Sequence, residues 1–359
     1  MTPSALVAIG GNSLIPPGEP AGVETERHHL IETCRGVAEM AARGWRLVVT
    51  HGNGPQVGAA LLRSERSAGD VYPLPLDACV AATQGEIGCL LQQELGAALL
   101  GRGLSIPVVA VLAQVVVAPV DPAFLRPSKP VGPFYSRSEA RECERRGLAM
   151  AEERPFGYRR VVPSPDPLEI VEESAVRALL EAGVLVITLG GGGIPVVRRD
   201  GRLRGIEAVV DKDLASALLA ARLEVDLFVI STEVDAVQLD FGTSRARRIG
   251  AVTAGTLRAY AAAGQFPPGT MGPKVEAVLR FLEAGGRSAI VTSPGRLVAA
   301  LDGRAGTLVS PPARKVQGRS EVGHVSRTLR RARRRAGSAQ LRAARRRAGA
   351  RRGRLGLGR

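Results

Sequence analysis

Among 45 arginines this 359-residue chain keeps four lysines, Lys129, Lys212, Lys274 and Lys315. An ammonium is a compact point charge on a flexible stem, whereas a guanidinium is a wide planar fork. A sequence that prefers arginine elsewhere should keep lysine where the fork does not fit. Lys129 lies in "SKPVG", Lys212 in "VDKDL" and Lys274 in "MGPKVE", each beside glycine, proline or aspartate at an irregular or element-starting position. Chance survival on the surface accounts for one such lysine, but less well for three. Compact cations suit phosphoryl transfer, in which charge spreads over the transferring oxygens and catalysis is mainly positioning and electrostatics. Asp213 could hold the ammonium groups in place or take up Mg²⁺ through water. Helix capping is the competing role, expected of one of Asp211 and Asp213.

Three glycine clusters each follow a predicted strand: "AIGGNSL" (8–14), "VTHGNGPQVG" (49–58) and "ITLGGGGIPV" (187–196). Ligands collect at the carboxyl ends of strands in an α/β sheet, and glycine there lets backbone N–H groups approach an anion. One such turn says little, because glycine ends strands everywhere. Three turns, two with asparagine beside glycine, point to an anion-binding edge. None matches GxxxxGK[ST], and none matches GxGxxG in a dinucleotide-fold setting. His51 is a possible general base, but with no carboxylate or nucleophile partner in sequence it is better read as a strand-end anchor. His28 and His29 fall on a helix, exposed or half-buried.

These residues need a scaffold of strands alternating with helices. Strands are expected at 5–9, 46–50, 106–112 (buried), 184–189, 226–231 and 288–292, and helices at 24–43, 76–102, 168–182, 213–222 and 273–284. Asp200-Gly201 should turn a hairpin. The pattern predicts a three-layer αβα fold around a mainly parallel open sheet. The rhythm breaks at about 121–156, where "RPSKPVGPFYS" precedes a charged helix, so a subdomain should project there. The core must be Val, Leu, Ile and Ala, since aromatics are 3% of the chain. Cys34, Cys79 and Cys89 lie in apolar helical patterns and should pack as small hydrophobes.

The net charge of +15 suggests a nucleic-acid binder until its distribution is examined. Residues 313–359 carry 16 Arg, one Lys and one Glu, which leaves the body 1–312 at −1. The body gives no reason to expect nucleic acid. The tail, expected to be disordered, could bind polyanions only non-specifically, for it lacks interleaved aromatics. No apolar run nears the length of a membrane span and no signal peptide opens the chain, so a reducing cytoplasm is expected.

Taken in order, "AIGGN", "THGNGPQVG", "ATQGEIG", "KPVGPFY", "YRRVVPSPDP", "LGGGGIPV", "EAVVDKDLAS" and "GTMGPKVEA" resemble carbamate kinases of the amino acid kinase superfamily over about residues 5–310. The resemblance implies the open αβα sandwich, a homodimer, and reversible phosphoryl transfer between ATP and carbamate, often run from ADP and carbamoyl phosphate toward ATP. It implies that Lys212 and Lys274 neutralise the phosphoryl group, Asp213 orients them, and Lys129 reaches over the substrate as a lid. Gly10, Gly11, Asn12, Gly52, Asn53 and Gly54 would bind carbamoyl phosphate. A substrate lobe of about 1–183 would face a nucleotide lobe of about 184–312. Gly190, Gly191, Gly192, Gly193, Val237, Gly242, Met271, Gly272 and Pro273 would seat ATP or ADP, with Mg²⁺ travelling on the nucleotide. Three features depart from the family pattern. Gln238 and Asp240 in "VQLDFG" stand where tyrosine and asparagine are usual, Cys89 stands where tyrosine is common, and the arginine-rich tail is extra. The alternatives are a kinase of an amino-acid carboxylate on the same fold, or a kinase-like body with a nucleic-acid-binding tail.

Overall fold

The computed structural model describes residues 2–11 and 22–311, so Asn12 and the arginine-rich tail lie outside the described residues. Strand β1 (Ser4–Ile9) is buried along its whole length. Leu6 and Ala8 enter one apolar cluster, while Ala5, Val7 and Ile9 enter another. A strand this apolar on both faces belongs at the centre of a sheet covered on both sides.

The main sheet has eight strands in the order Ala251–Thr253, Thr307–Ser310, Ala289–Thr292, Leu227–Ser231, β1, β2 (Arg46–His51), Leu185–Ile187 and Val108–Ala110. Every neighbouring pair is parallel except Ala289–Thr292 with Thr307–Ser310. The helices are α1 (Val23–Ala42), α2 (Gly54–Arg66), α3 (Leu76–Leu100), α4 (Arg137–Arg145), α5 (Glu173–Glu181), α6 (Lys212–Arg222), α7 (Ala254–Ala262), α8 (Met271–Glu283) and α9 (Leu297–Leu301). Helices α1, α3 and α9 cover the face carrying Ala5, Val7 and Ile9. Helices α5, α6, α7 and α8 cover the face carrying Leu6 and Ala8. This is the three-layer αβα sandwich expected from the alternation.

A four-stranded sheet of Arg202–Gly205, Ile194–Arg199, Gln114–Val116 and Glu169–Ile170 lies beside the main one. Its hairpin turns at Asp200 and Gly201 with φ of 50° and 71°, the left-handed pair that a two-residue turn demands. Lys129–Tyr135, Gly157–Val162 and Met150–Glu153 form a separate three-stranded antiparallel sheet in that order, with α4 against it. A capping box between Ser136 and Glu139 starts α4.

Three expectations need correction. The segment 168–182 begins as a strand and becomes helical only at Glu173, because the N–H groups of Leu168 and Val171 donate to the carbonyls of Val116 and Gln114. The apolar run 106–112 is not a buried strand. Only Val108–Ala110 pairs, at the sheet's edge, and all three residues are half-buried. Cys89 is exposed on α3, whereas Cys34, Cys79 and Cys143 are buried. Among the described residues no helix is long and apolar enough to cross a membrane.

Candidate active site

The site is built at the carboxyl edge of the main sheet. Asp211 caps α6, accepting from the N–H groups of Asp213 at 2.9 Å and Leu214 at 3.4 Å. Lys212 and Asp213 therefore project from the helix's first turn. The Thr50 and Ser216 hydroxyls, 2.7 Å apart, fix α6 against β2. Lys274 lies in the first turn of α8, which packs on α6. Two helix N-termini, each with partial positive charge, thus converge on the same place.

There the lysines share one buried carboxylate. The Lys212 ammonium donates to Oδ1 of Asp213 at 2.6 Å, and the Lys274 ammonium donates to Oδ2 at 2.9 Å. Burial works against the charge on all three groups. At Asp213 the two ammonium groups outweigh it and hold the carboxyl well below the usual carboxylate range. At Lys274, Asp213 outweighs burial and holds the ammonium above its ordinary value. At Lys212 burial prevails, with repulsion from Lys274 assisting, and the ammonium sits below its ordinary value. Both oxygens of Asp213 accept from ammonium groups, which favours the first of its two roles weighed from sequence, holding the lysines, over taking up Mg²⁺ through water.

Lys129, at the start of its strand, donates to Oδ2 of Asp211 at 2.6 Å. The three body lysines thus meet over two aspartates, leaving one positive charge in excess. A site of this make-up attracts an anion.

The glycine turns surround this cluster. The N–H of Gly10 donates to Ser231 and that of Gly52 to Ile9, so both are engaged in the strand ends. A Cβ on Gly52 would lie 2.6 Å from the Gly11 nitrogen. This contact sets the Gly11 backbone against Gly52, with the nitrogens of Asn53 and Gly54 close by. Asn53 and Gly54 open α2, where helix-terminal N–H groups face outward. The Asn53 amide donates to Thr83 Oγ1 at 2.8 Å, while the Gln84 amide bonds both backbone groups of Ala113. Thr83 and Gln84 belong to "ATQGEIG", yet nothing in one sequence says which strand or loop they hold.

The loop Gly190–Gly193, expected at the nucleotide, packs against the Asn53 and Lys212 side of the site. A Cβ would meet His51 and Gln84 at Gly190, the Asn53 side chain at Gly191, and the Val210 carbonyl at Gly192; at Gly193 it would meet Val115. Gly191, Gly192 and Gly193 all have positive φ, so the turn needs glycine twice over. His51 is fully enclosed, and its Nδ1–H donates to the Gly52 carbonyl at 2.9 Å. Burial pushes its pKa down to about 4, so the ring is neutral at pH 7. It anchors the turn.

Met271, Gly272 and Pro273 form the first turn of α8 beside Lys274. Gly242 is exposed at a φ of 79°, inside a turn in which the Asp240 carbonyl accepts from the Thr243 N–H and the Asp240 N–H donates to Gln265. Val237 is a correction: it has no exposed surface, and its N–H and carbonyl are bonded to Thr307 and Ile249. It is core beneath the site and has no free group to offer a nucleotide.

A parallel αβα sheet whose carboxyl edge gathers lysines around one buried aspartate, ringed by glycine turns, defines a phosphoryl-transfer enzyme. The chain belongs to the amino acid kinase family, whose sequence model matches residues 4–293. It is 43% identical over 309 residues to the carbamate kinase of Pyrococcus furiosus, covering 85% of this chain and 98% of that protein. To carbamate kinase 1 of Enterococcus faecium it is 41% identical over 290 residues, 80% of this chain and 92% of the relative. The structure of Giardia lamblia carbamate kinase bound to AMP-PNP superposes with a TM-score of 0.81 at 36% identity, covering 86% of this chain and 99% of that one.

Proposed function

We propose that this chain is a carbamate kinase that moves a phosphoryl group reversibly between ATP and carbamate, working mainly from ADP and carbamoyl phosphate toward ATP. The observation that carries this reading is Asp213 held between Lys212 and Lys274, with Lys129 brought alongside by the inserted sheet. In that direction an ADP oxygen attacks phosphorus, the bond to the carbamate oxygen breaks, and carbamate leaves. Lys212 and Lys274 neutralise the oxygens in flight. Asp213 fixes both ammonium groups, and Lys129 reaches over the substrate from the subdomain.

Gly11, Asn53 and Gly54 offer backbone donors to carbamoyl phosphate, and Gly10 and Gly52 shape the turn that presents them. Gly190 and Gly191 border the same end, while Gly192 and Gly193 hold that loop to its supports. The nucleotide is assigned to the lobe of about 184–312, against Met271–Pro273 and the turn at Gly242. Among the described residues no three His, Cys, Asp or Glu side chains cluster as a metal cage. Mg²⁺ fits as a companion of the nucleotide phosphates, whose charge it would offset. We assign the protein to a cytoplasmic homodimer on the family resemblance.

The test is ATP formation from ADP, Mg²⁺ and carbamoyl phosphate by the purified chain, with acetyl phosphate and aspartyl phosphate run beside it. ATP from carbamoyl phosphate alone supports the reading; no turnover, or a preference for another acyl phosphate, overturns it. A chain ending at Pro312 should form ATP within about twofold of the full-length rate; a larger loss would assign the tail a part in the reaction.

A further inference from the structure

The segment 207–211 bears a carboxylate at each end and three buried residues, Ala208, Val209 and Val210, between them. Both carboxylates reach the inserted three-stranded sheet. Glu207 pairs with Arg160, which also donates to Glu65 of α2 at 2.7 Å. Asp211 pairs with Lys129 at 2.6 Å. Arg160 and Lys129 lie on neighbouring strands, in register Val131 with Arg160 and Lys129 with Val162. Between the ion pairs the Val209 N–H donates to the Pro163 carbonyl at 3.0 Å. The Val209 side chain shares an apolar cluster with Val131 and Val162. Two ion pairs, a backbone bond and an apolar contact therefore form one seam between the base of the subdomain and the chain that enters α6.

The seam ends on the site. One oxygen of Asp211 caps the helix that bears Lys212 and Asp213, and its other oxygen holds the Lys129 ammonium. A free lysine side chain has many rotamers and loses considerable entropy when fixed. Held by Asp211, the Lys129 ammonium is placed before substrate arrives, in the frame of the helix that carries the other two cationic groups.

We propose that Asp211 is a positioning residue, acting through Lys129 to preset the subdomain's ammonium for the phosphate of the bound substrate, with Glu207 and Arg160 fixing the far end of the same seam. The assignment rests on the carbamate kinase reading, so its test includes an arm that does not depend on turnover. Asp211→Asn keeps a capping oxygen, since asparagine caps as well as aspartate, but removes the charge that holds Lys129. The KM for carbamoyl phosphate should rise about tenfold, with kcat within about threefold and the KM for ADP unchanged. In a double-mutant cycle, Asp211→Asn should add little to Lys129→Met, because asparagine keeps the cap and Lys129 is the ammonium that the lost charge holds directly. Hydrogen–deuterium exchange of segments 157–163 and 207–211, without ligand, should quicken about fivefold in each single variant and no further in the double. Multiplying effects in the double variant, or an unchanged KM with wild-type exchange, would overturn the assignment. If the wild-type chain makes no ATP, the functional reading falls, while the exchange arm still decides whether Asp211 and Lys129 act as one unit.

Discussion

Lys274 reaches Asp213 across 61 residues of chain, its ammonium 2.9 Å from Oδ2, while Lys212 from the adjacent position occupies Oδ1. One buried carboxylate thus sets the separation and direction of two cations. Neither could be held this way on its own stem. The arrangement needs side chains that place a small charge at a point, which is what distinguishes lysine from arginine here.

Lys212→Arg should therefore reduce kcat for ATP formation by at least about 100-fold, because the wider guanidinium can satisfy Asp213 but cannot present the same point charge to the phosphoryl oxygens. Circular dichroism should show a wild-type fold. Turnover near the wild-type rate would refute a requirement for lysine at this position.

Asp213→Asn leaves two buried ammonium groups without their counter-charge, a change that costs about 3–5 kcal/mol where buried pairs lose one member. Urea unfolding should register that loss alongside a collapse in turnover. The pH dependence has a definite sign. Asp213 titrates below its unfolded value, so its stabilisation is present above the usual carboxylate range and is lost as pH falls through the folded value. The wild type should therefore lose its advantage over Asp213→Asn on strong acidification; a gap that stays constant down to acid pH contradicts the assignment.

The αβα layering was legible because each strand is a short apolar run and each helix carries one stripe, as in β1 and α1. Lys212 and Lys274 were legible through composition, since retained lysine is a choice of chemical type. Contacts that close over long separations left no local trace. Lys129 meets Asp211 82 positions away, and the Asn53 amide finds Thr83 only after α2 and α3 have packed. The misread start of α5 has the same origin. Leu168 and Val171 suit a helical stripe, but backbone partners on the strand at Gln114–Val116 claim them first. Val237 looked like a ligand contact because it lies in a motif, whereas its own backbone bonds bury it.

His51 should act on stability rather than on the chemical step. Its folded pKa of about 4 lies below the ordinary histidine value of 6.5, so between those pH values the unfolded chain binds a proton that the folded chain refuses. Stability falls as pH drops through that window, by about 2 kcal/mol from this residue on going from pH 7 to pH 5. Denaturant unfolding at both pH values should show a steeper loss for wild type than for His51→Gln. Equal losses would remove His51 as the source.

The two glycines flanking Asn53 should answer differently to the same added methyl group. At Gly52 a Cβ would fall 2.6 Å from the nitrogen and 2.7 Å from the Cα of Gly11, backbone that cannot swing aside as a flexible side chain would. Gly52→Ala must force the first and second glycine turns apart, moving the Asn53 and Gly54 donors with them. At Gly54 nothing beyond its chain neighbours lies within 4 Å of the added carbon, and the backbone N–H is retained. Gly54→Ala should therefore keep kcat/KM for carbamoyl phosphate within about threefold, the ring of Pro55 next in the chain being what the new Cβ crowds. Gly52→Ala should lose kcat/KM by about 100-fold or more, since displacements near 1 Å at a reacting centre cost that much. Comparable activity in the two variants would show that the close approach of Gly52 to Gly11 does not hold the anion-binding turn in place.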